Sequence, residues 1–255
     1  MTSYVGKHAG FYDFFYADKC YKSEAAFIHQ CLQEFGKHTP NKILELACGT
    51  GSHVFEFEKF GYQIIATDYS EDMLKCAKHK GKLSSSSVIF QIQDMRDLNV
   101  LERPFDAVIC LFDSIGYVVT NDALKKVLQN VHNHLAEDGL FIFEFWHAAA
   151  MLKLYDPVRI RKWKTSDSEI IRLSETTIDI SRQVGSVKYT ILDLKKNGEY
   201  YKIEETQENR FFLVQEMDMY LKQNNFEPLQ YFAGFNNGEQ ITTETWHIVA
   251  VARRK

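Results

Sequence analysis

The hydrophobic positions fall into short blocks whose period changes along the chain. Residues 23–36, SEAAFIHQCLQEFG, set Ala26, Phe27, Cys31, Leu32 and Phe35 on one helical face. That spacing predicts a helix capped by Ser23 and ended by Gly36. In NKILELACGTG, the apolar Ile43, Leu44 and Leu46 run into a glycine-rich turn, the pattern of a buried parallel strand. A helix from Gly51 to Phe60, ended by Gly61, is predicted next. The alternation repeats with the strand YQIIATD, the helix SEDMLKCAKHK capped by Ser70, and the strands VIFQIQD and FDAVICLF. NDALKKVLQNVHNHLAEDG carries Leu124, Val127, Leu128, Val131 and Leu135 at helical spacing, with Gly139 as its expected stop. LFIFEFW follows as a strand. Strand and helix in turn over residues 42–146 predict an α/β fold: a parallel sheet, helices on both faces, right-handed crossovers.

Residues 158–214 break this rhythm. IIRLSETTIDISR, SVKYTILDLKK and EYYKIEETQENRFFLV alternate in polarity and are rich in β-branched and aromatic residues. Gly185 and the Asn197-Gly198 pair stand between them, and Asn-Gly is a strong hairpin signal. An inserted three-stranded antiparallel β meander is predicted. After it come a helix, QEMDMYLKQNNF, and two strands, PLQYFAGF and TWHIVAVARR. The expected organisation is an N-terminal helical cap over residues 1–36, a Rossmann-like unit over 37–156 and 213–255, and the meander over 157–212.

Composition narrows the class. Of the 255 residues, 45% are apolar and 25% charged, enough to bury a core without staples. The net charge of −4 argues against a nucleic-acid partner and against charge-driven membrane attachment. No signal peptide and no membrane span of ~20 apolar residues are predicted. Five cysteines without a CxxC pair predict reduced thiols, a cytoplasmic protein and no metal site. The aromatic count is high, and much of it lies in residues 4–21 and in the meander.

The candidate chemistry gathers at strand ends. Glu45-Leu-Ala-Cys-Gly49-Thr-Gly51-Ser-His-Val54 follows the first strand, where glycines let a ligand approach the backbone. The third glycine of a dinucleotide fingerprint would fall at Val54, which counts against NAD and FAD. Glu45 would repel a pyrophosphate and welcome an ammonium. Asp68 ends the next strand and can accept from ribose hydroxyls. Asp94, in Gln93-Asp94-Met95-Arg96-Asp97, can accept from an adenine amino group, with Met95 packed on the ring. Ligands of open parallel sheets bind at this carboxyl edge.

ELACGTG, ATDYSEDML, QDMRDL, FDAVICLFDSIGYV and LAEDGLFIFEFW resemble, in order, the motifs of class I S-adenosylmethionine-dependent methyltransferases over residues 40–146. The resemblance implies a seven-stranded sheet whose last strand, TWHIVAVARR, runs antiparallel. It also implies S-adenosyl-L-methionine as cofactor. Glu45, Ala47, Gly49 and Gly51 would hold its methionine end, with Cys48 inside the same loop. Asp68 would bind the ribose. Tyr69 and Met73 would line the adenine, with Asp94, Met95 and the adjoining Arg96 at its edge. Leu111 and Phe112 would form the floor.

Tyr12-Asp-Phe-Phe-Tyr16 followed by Tyr21, with CGTGSHV, SEDML, LFDSIGYV and the meander, is similar to the nucleotide-aminosugar N,N-dimethyltransferases, which act on dTDP-linked amino sugars. By that likeness Tyr16 would sit over the reactive methyl and Tyr117 near the acceptor. EFWHAA stands where the family has Glu-Pro-Trp-Trp, and Asp113 where serine is common. The implied activity is methyl transfer to a small-molecule acceptor, most specifically the amine of a nucleotide-linked sugar; another N- or O-acceptor at the same cofactor site is the alternative. Positioning would carry most of the catalysis, and Tyr16, Tyr117 or His147 would order the amine or relay its proton. Asp113, Ser114, Tyr117 and Trp146 are the expected acceptor contacts, and Arg159 and Arg161, beside Lys162 and Lys164, a local basic patch for a phosphorylated acceptor. Phe11, Tyr12, Phe14, Phe15, Tyr16 and Tyr21 would close as a lid. The meander would wall the acceptor pocket or pair two subunits in a homodimer.

Overall fold

A computed structural model describes the backbone from Lys7 and the side chains from Gly10 to Lys255. The aromatic lead-in before Lys7, including Tyr4, lies outside the described residues.

The chain begins with helices α1 (Lys7–Phe15) and α2 (Tyr21–Phe35). The alternating region follows as β1 (Lys42–Leu46), α3 (Ser52–Glu58), β2 (Gln63–Asp68), α4 (Glu71–Leu83), β3 (Ile89–Ile92), β4 (Phe105–Cys110), α5 (Asn121–His134) and β5 (Leu135–Trp146). After α6 (Ala148–Leu154) come β6 (Val158–Lys164), β7 (Ser168–Asp179), β8 (Val184–Lys195) and β9 (Tyr200–Arg210). Helix α7 (Val214–Gln223) and strands β10 (Phe226–Ala233) and β11 (His247–Arg254) end the chain.

Seven strands form one sheet in the order β10-β11-β5-β4-β1-β2-β3. β1 pairs in parallel with both β2 and β4, so Glu45 stands between Ala66 and Ile109. β11 is antiparallel to β5 and to β10, and is therefore the one reversed strand of this sheet. Successive strand residues point to opposite faces, which yields two cores. On one face Leu44, Val108, Phe141 and Phe143 meet Leu124, Val127, Leu128 and Val131 of α5. On the other, Ile43, Ile64, Ile109 and Ile142 meet Phe27, Ile28, Cys31 and Leu32 of α2.

The predicted α/β architecture holds, with local corrections. Helix α2 begins before Ser23, whose hydroxyl donates to the Cys20 carbonyl instead of capping. Its buried face is Ala25 and Ile28 beside Phe27, and Ala26 is only half-buried. Helix α5 stops at His134, not at Gly139, because Leu135 already pairs with Phe105 in the sheet. His134 also accepts from the Val100 N–H, which ties the helix end to the neighbouring loop. The inserted meander has four strands, β6-β7-β8-β9, all antiparallel. Its extra strand, VRIRKWK, is short and basic, with a mostly exposed pattern that gives little alternation signal. Gly185 lies inside β8, and Gly198 makes the predicted hairpin turn at φ 90°.

A third apolar cluster joins α1 to the insert. Phe15, Ile170 and Ile191 are its buried members, with Phe11, Phe14, Tyr16 and Trp163 packed around them.

Candidate active site

The site is assembled at the carboxyl ends of β1, β2, β3 and β4. After β1 the backbone turns through left-handed conformations at Ala47 (φ 50°), Gly49 (φ 56°) and Gly51 (φ 80°). Only glycine adopts these angles without strain. At Gly51 an added Cβ would also come within 3.1 Å of the Phe55 ring. Asp68, at the end of β2, holds the loop. Its Oδ2 accepts from the Gly49 N–H at 2.8 Å and its Oδ1 from the Ser70 N–H at 2.8 Å. Ser70 in turn caps α4 by accepting from the Met73 N–H. Burial raises the Asp68 pKa, against the lowering pull of the Ser70, Gly49 and Tyr69 N–H groups.

Glu45 lies wholly buried behind this loop. Its Oε2 has no hydrogen-bond partner, and burial, then the charge of Asp68, pushes its pKa well above the usual carboxylate range. Two buried carboxyl groups, one with an orphaned oxygen, suit a cationic ligand and oppose a pyrophosphate. The donor set therefore fits a cofactor that carries an ammonium and a sulfonium, such as S-adenosylmethionine.

Beyond β3, Asp94 accepts from the Arg96 backbone N–H at 2.9 Å and pairs with its guanidinium. The hydrogen bonds from the Arg96 guanidinium, more than its backbone N–H, keep the Asp94 carboxyl below its ordinary range. Beyond β4, Phe112 (φ 57°) and Asp113 (φ 55°) are consecutive left-handed residues, a strained turn held from several sides. The Phe112 N–H donates to Glu144 Oε2 at 2.6 Å, and His247 pairs with the other oxygen. Burial would raise Glu144, but His247 and Lys19 hold it below the usual value. Asp113 Oδ1 accepts from the Trp146 N–H at 2.8 Å, and its Oδ2 from Asn209 Nδ2 at 2.7 Å. Burial drives the Asp113 pKa well up. Gly116 is obligatory here, since a Cβ would lie 2.8 Å from Asp113 Oδ2.

These turns enclose a cleft of about 310 Å³. Of the residues expected to hold the cofactor, Tyr16, Ala47, Gly49, Asp68, Tyr69, Met73, Asp94, Met95, Arg96 and Phe112 line this cleft, and Asp113, Ser114, Tyr117 and Trp146 continue the wall. Asp113 differs from an open acceptor contact, because both its oxygens bind within the protein and tie the β4 turn to β5 and β9. Tyr21, Glu45, Cys48, Gly51 and Leu111 stand behind the lining. Tyr21 packs edge-on against His53 at 4.8 Å, and Cys48 and Leu111 belong to the buried core.

Three expectations change. His147 does not line the cleft: its Nδ1 meets the Thr245 carbonyl at 3.2 Å, and burial lowers its pKa. The side chain follows a strand-end reversal, where the backbone bridges to Phe212 and starts α6. Arg159 and Arg161 are also outside the lining. They sit on β6, the far edge of the insert, with β7 and β8 between them and the β9 residues that reach the cleft. Arg159 pairs with Asp156 at 3.4 Å, and Arg161 stands opposite Arg172 in register. The insert faces the cleft through Tyr189, Thr206, Gln207, Glu208 and Asn209, none of which the motifs pointed to. The signal was present in QENR: polar side chains at the alternate, inward positions of an otherwise exposed strand.

Helix α1 bridges the two halves. Asp13 accepts from Thr50 of the cofactor loop at 2.5 Å and pairs with Lys80 of α4 at 2.9 Å. Tyr16 packs edge-on against Phe112 at 5.0 Å, and Phe15 meets Trp163 of β6 at 4.8 Å. The predicted lid residues thus cover the turn after β4 and touch the insert.

Residues 43–139 match the methyltransferase domain family. The chain is 28% identical over 232 residues, 91% of its length and 90% of the other, to YqeM of Bacillus subtilis (strain 168), provisionally named a methyltransferase. It is 35% identical over 147 residues to the dTDP-3-amino-3,4,6-trideoxy-α-D-glucopyranose N,N-dimethyltransferase of Streptomyces venezuelae, a match spanning 56% of this chain and 59% of that enzyme. The crystal structure of an S-adenosylmethionine-dependent methyltransferase from Clostridium acetobutylicum ATCC 824 superposes with a TM-score of 0.84 at 25% identity, covering 97% of this chain and 98% of the other. Residues 43–139 are thus a methyltransferase domain, and with the glycine-rich loop and the reversed strand in place the chain has the fold of an S-adenosylmethionine-dependent methyltransferase.

Proposed function

We propose that this methyltransferase acts on the amino group of a nucleotide-linked sugar of the dTDP type. The observation that carries the reading is the cleft itself: cofactor motifs form one side, and polar residues of the inserted sheet, Tyr189 and Thr206–Asn209, form the other. The similarity to the Streptomyces venezuelae enzyme supports it over the matched half.

When bound, S-adenosylmethionine would supply an activated methyl group on a positive sulfur, which a neutral amine could take in line with the sulfide as leaving group and the amine proton passing to solvent as product leaves. Glu45 and Asp68 would hold the cationic and ribose parts, Asp94 and Met95 the adenine, and Tyr69 and Met73 its flank. Tyr12, Tyr16 and Phe112 would exclude water, and aromatic faces suit a cation. Tyr117 would orient the amine. Holding the reactants in one geometry can contribute about 7–11 kcal/mol without any covalent step on the protein.

A labelled-methyl assay against a panel of dTDP-amino sugars, with mass detection of mono- and dimethyl products, tests the acceptor. Transfer to those sugars in preference to free amines and hydroxylated metabolites is the expected result; transfer only to the latter would move the reading to the alternative N- or O-acceptor. We also infer a homodimer formed through the edge of β6, where Val158 and Ile160 are exposed. Light scattering at micromolar concentration should give twice the chain mass. Five free thiols suit a cytoplasmic setting, and no helix among the described residues is long and apolar enough to cross a membrane.

A further inference from the structure

We propose that the side-chain carbonyl of Asn209, on the inserted sheet, is a contact for the methyl acceptor: Asp113 holds it in one direction, and it takes an N–H of the amine. The inference rests on the reading that this cleft receives an amine.

Asp113 sits in the turn after β4, directly after Phe112, and Phe112 packs edge-on against Tyr16 at 5.0 Å. Asn209 lies near the end of β9 and lines the same cleft. The two side chains meet where the cofactor motifs and the insert join. The Trp146 backbone N–H donates to Asp113 Oδ1 at 2.8 Å. Asn209 Nδ2 donates to Asp113 Oδ2 at 2.7 Å. Two N–H donors favour the ionised carboxylate against the burial that raises its pKa. An ionised carboxylate only accepts, so Asn209 must turn its NH₂ to Asp113. Its carbonyl oxygen then faces away from Asp113. That oxygen has no hydrogen-bond partner among the described residues and is not sealed in the core, so it opens on the cleft. Asn209 as a whole is only 6% exposed, which shields the bond to Asp113 from competing water.

An acceptor at this point suits an amine nucleophile. A neutral amine needs its lone pair for the new N–C bond and has N–H groups to spare. A carbonyl takes an N–H and leaves the lone pair free for the methyl. An NH₂ group in its place would bind the lone pair and oppose attack. Asp113 is therefore a positioning residue that acts through Asn209.

Asp113→Asn keeps the shape of this tie and reverses its direction. The new amide must still offer its carbonyl to the Trp146 N–H, so its NH₂ faces Asn209. Asn209 then turns its carbonyl inward and its NH₂ to the cleft. The expected result is a fall in kcat/KM for the amine of about 10- to 100-fold, with S-adenosylhomocysteine affinity within about twofold. A tie that only clamps the turn would leave kcat/KM unchanged, since both hydrogen bonds persist. Asp113→Asn/Asn209→Asp places a carboxylate at the second position, whose outer oxygen accepts from the amine again. This double variant should be at least about tenfold faster than Asp113→Asn, because the two changes compensate. Unchanged kcat/KM in Asp113→Asn, or a double variant that binds S-adenosylhomocysteine yet is no faster than the single one, would overturn the proposal. If dTDP-amino sugars are inert and another amine or an alcohol is methylated, the same chains are compared on that acceptor, so the sugar reading fails while Asn209 is still judged. A measurement on the wild-type chain decides the matter if no acceptor is methylated or a variant fails to fold. With ¹⁵N-labelled asparagine, the Asn209 NH₂ signal, assigned by its loss in Asn209→Leu, should exchange its protons at least about tenfold more slowly than an exposed side-chain amide. Exchange as fast as that of an exposed amide would put the NH₂ in the cleft and sink the idea.

Discussion

At Asp68 one carboxylate serves the Gly49 and Ser70 N–H groups, and so holds the cofactor loop and the start of α4 together. Asp68→Asn keeps the shape but removes the charge and one acceptor. Hydrogen bonds to a charged group contribute about 1.5–3 kcal/mol, so S-adenosylhomocysteine affinity measured by calorimetry should fall about 10- to 100-fold. Glu45 behaves differently. Its folded pKa lies above the ordinary 4.5, so the folded chain holds the proton more tightly than the unfolded one. Its contribution to stability is full below the unfolded value and is lost as pH rises through the raised one. Without cofactor, Glu45→Gln should therefore raise the melting temperature near pH 8, by about 2–4 °C for each kcal/mol recovered, and should flatten the decline from pH 5 to 8. The same variant should bind S-adenosylhomocysteine more weakly. A variant that melts lower at pH 8 would contradict the assignment of an unpaired buried carboxylate.

Among the elements, α1 has the most divided attachment. Asp13 latches it to Thr50 and Lys80, and its aromatic side packs on the insert. Arg172 of β7, buried and with no hydrogen bond to its Nε, lies over Phe15 at 4.8 Å, Trp163 at 5.3 Å, Tyr189 at 5.6 Å and Tyr16 at 5.7 Å. Desolvated cation–π contacts are worth about 2 kcal/mol. Arg172→Met should therefore loosen α1 without melting the seven-stranded sheet. Limited proteolysis should cut within residues 10–20 up to about thirtyfold faster, while the main unfolding transition moves by only a few degrees. Unchanged cleavage would mean that the Asp13 latch alone holds the helix. The aromatic run was legible in sequence, but its partner was not. Arg172 reads as an ordinary strand charge, and its burial depends on α1 arriving from the far end of the chain.

For the whole molecule, burial decides which thiols are chemically available. Cys31 is pushed up to about 12 by burial, and Cys48 and Cys110 rise for the same reason. Cys20 is exposed. A thiol reagent should modify Cys20 first and Cys76 more slowly, and should reach the other three at least about 100-fold more slowly until the protein unfolds. Fast labelling of Cys48 would show that the cofactor loop opens in the folded state.

The sequence by itself determined the layered sheet, the turn after β1, and the carboxylates at Asp68 and Asp94. Each depends on short-range chemistry: a two- or 3.6-residue period, a glycine that tolerates positive φ, an acid placed at or just past the carboxyl end of a strand. Only the tertiary structure decided what faces the acceptor. Tyr117 and Gln207 are 90 residues apart and meet because β9 docks against the turn after β4. Strand order, which no local pattern encodes, put β9 at the cleft and β6 with Arg159 and Arg161 at the opposite edge. The reversal after β5 likewise turned His147 toward Thr245. Local periodicity states which side of an element is buried; the pairing of distant strands decides which groups that side will meet.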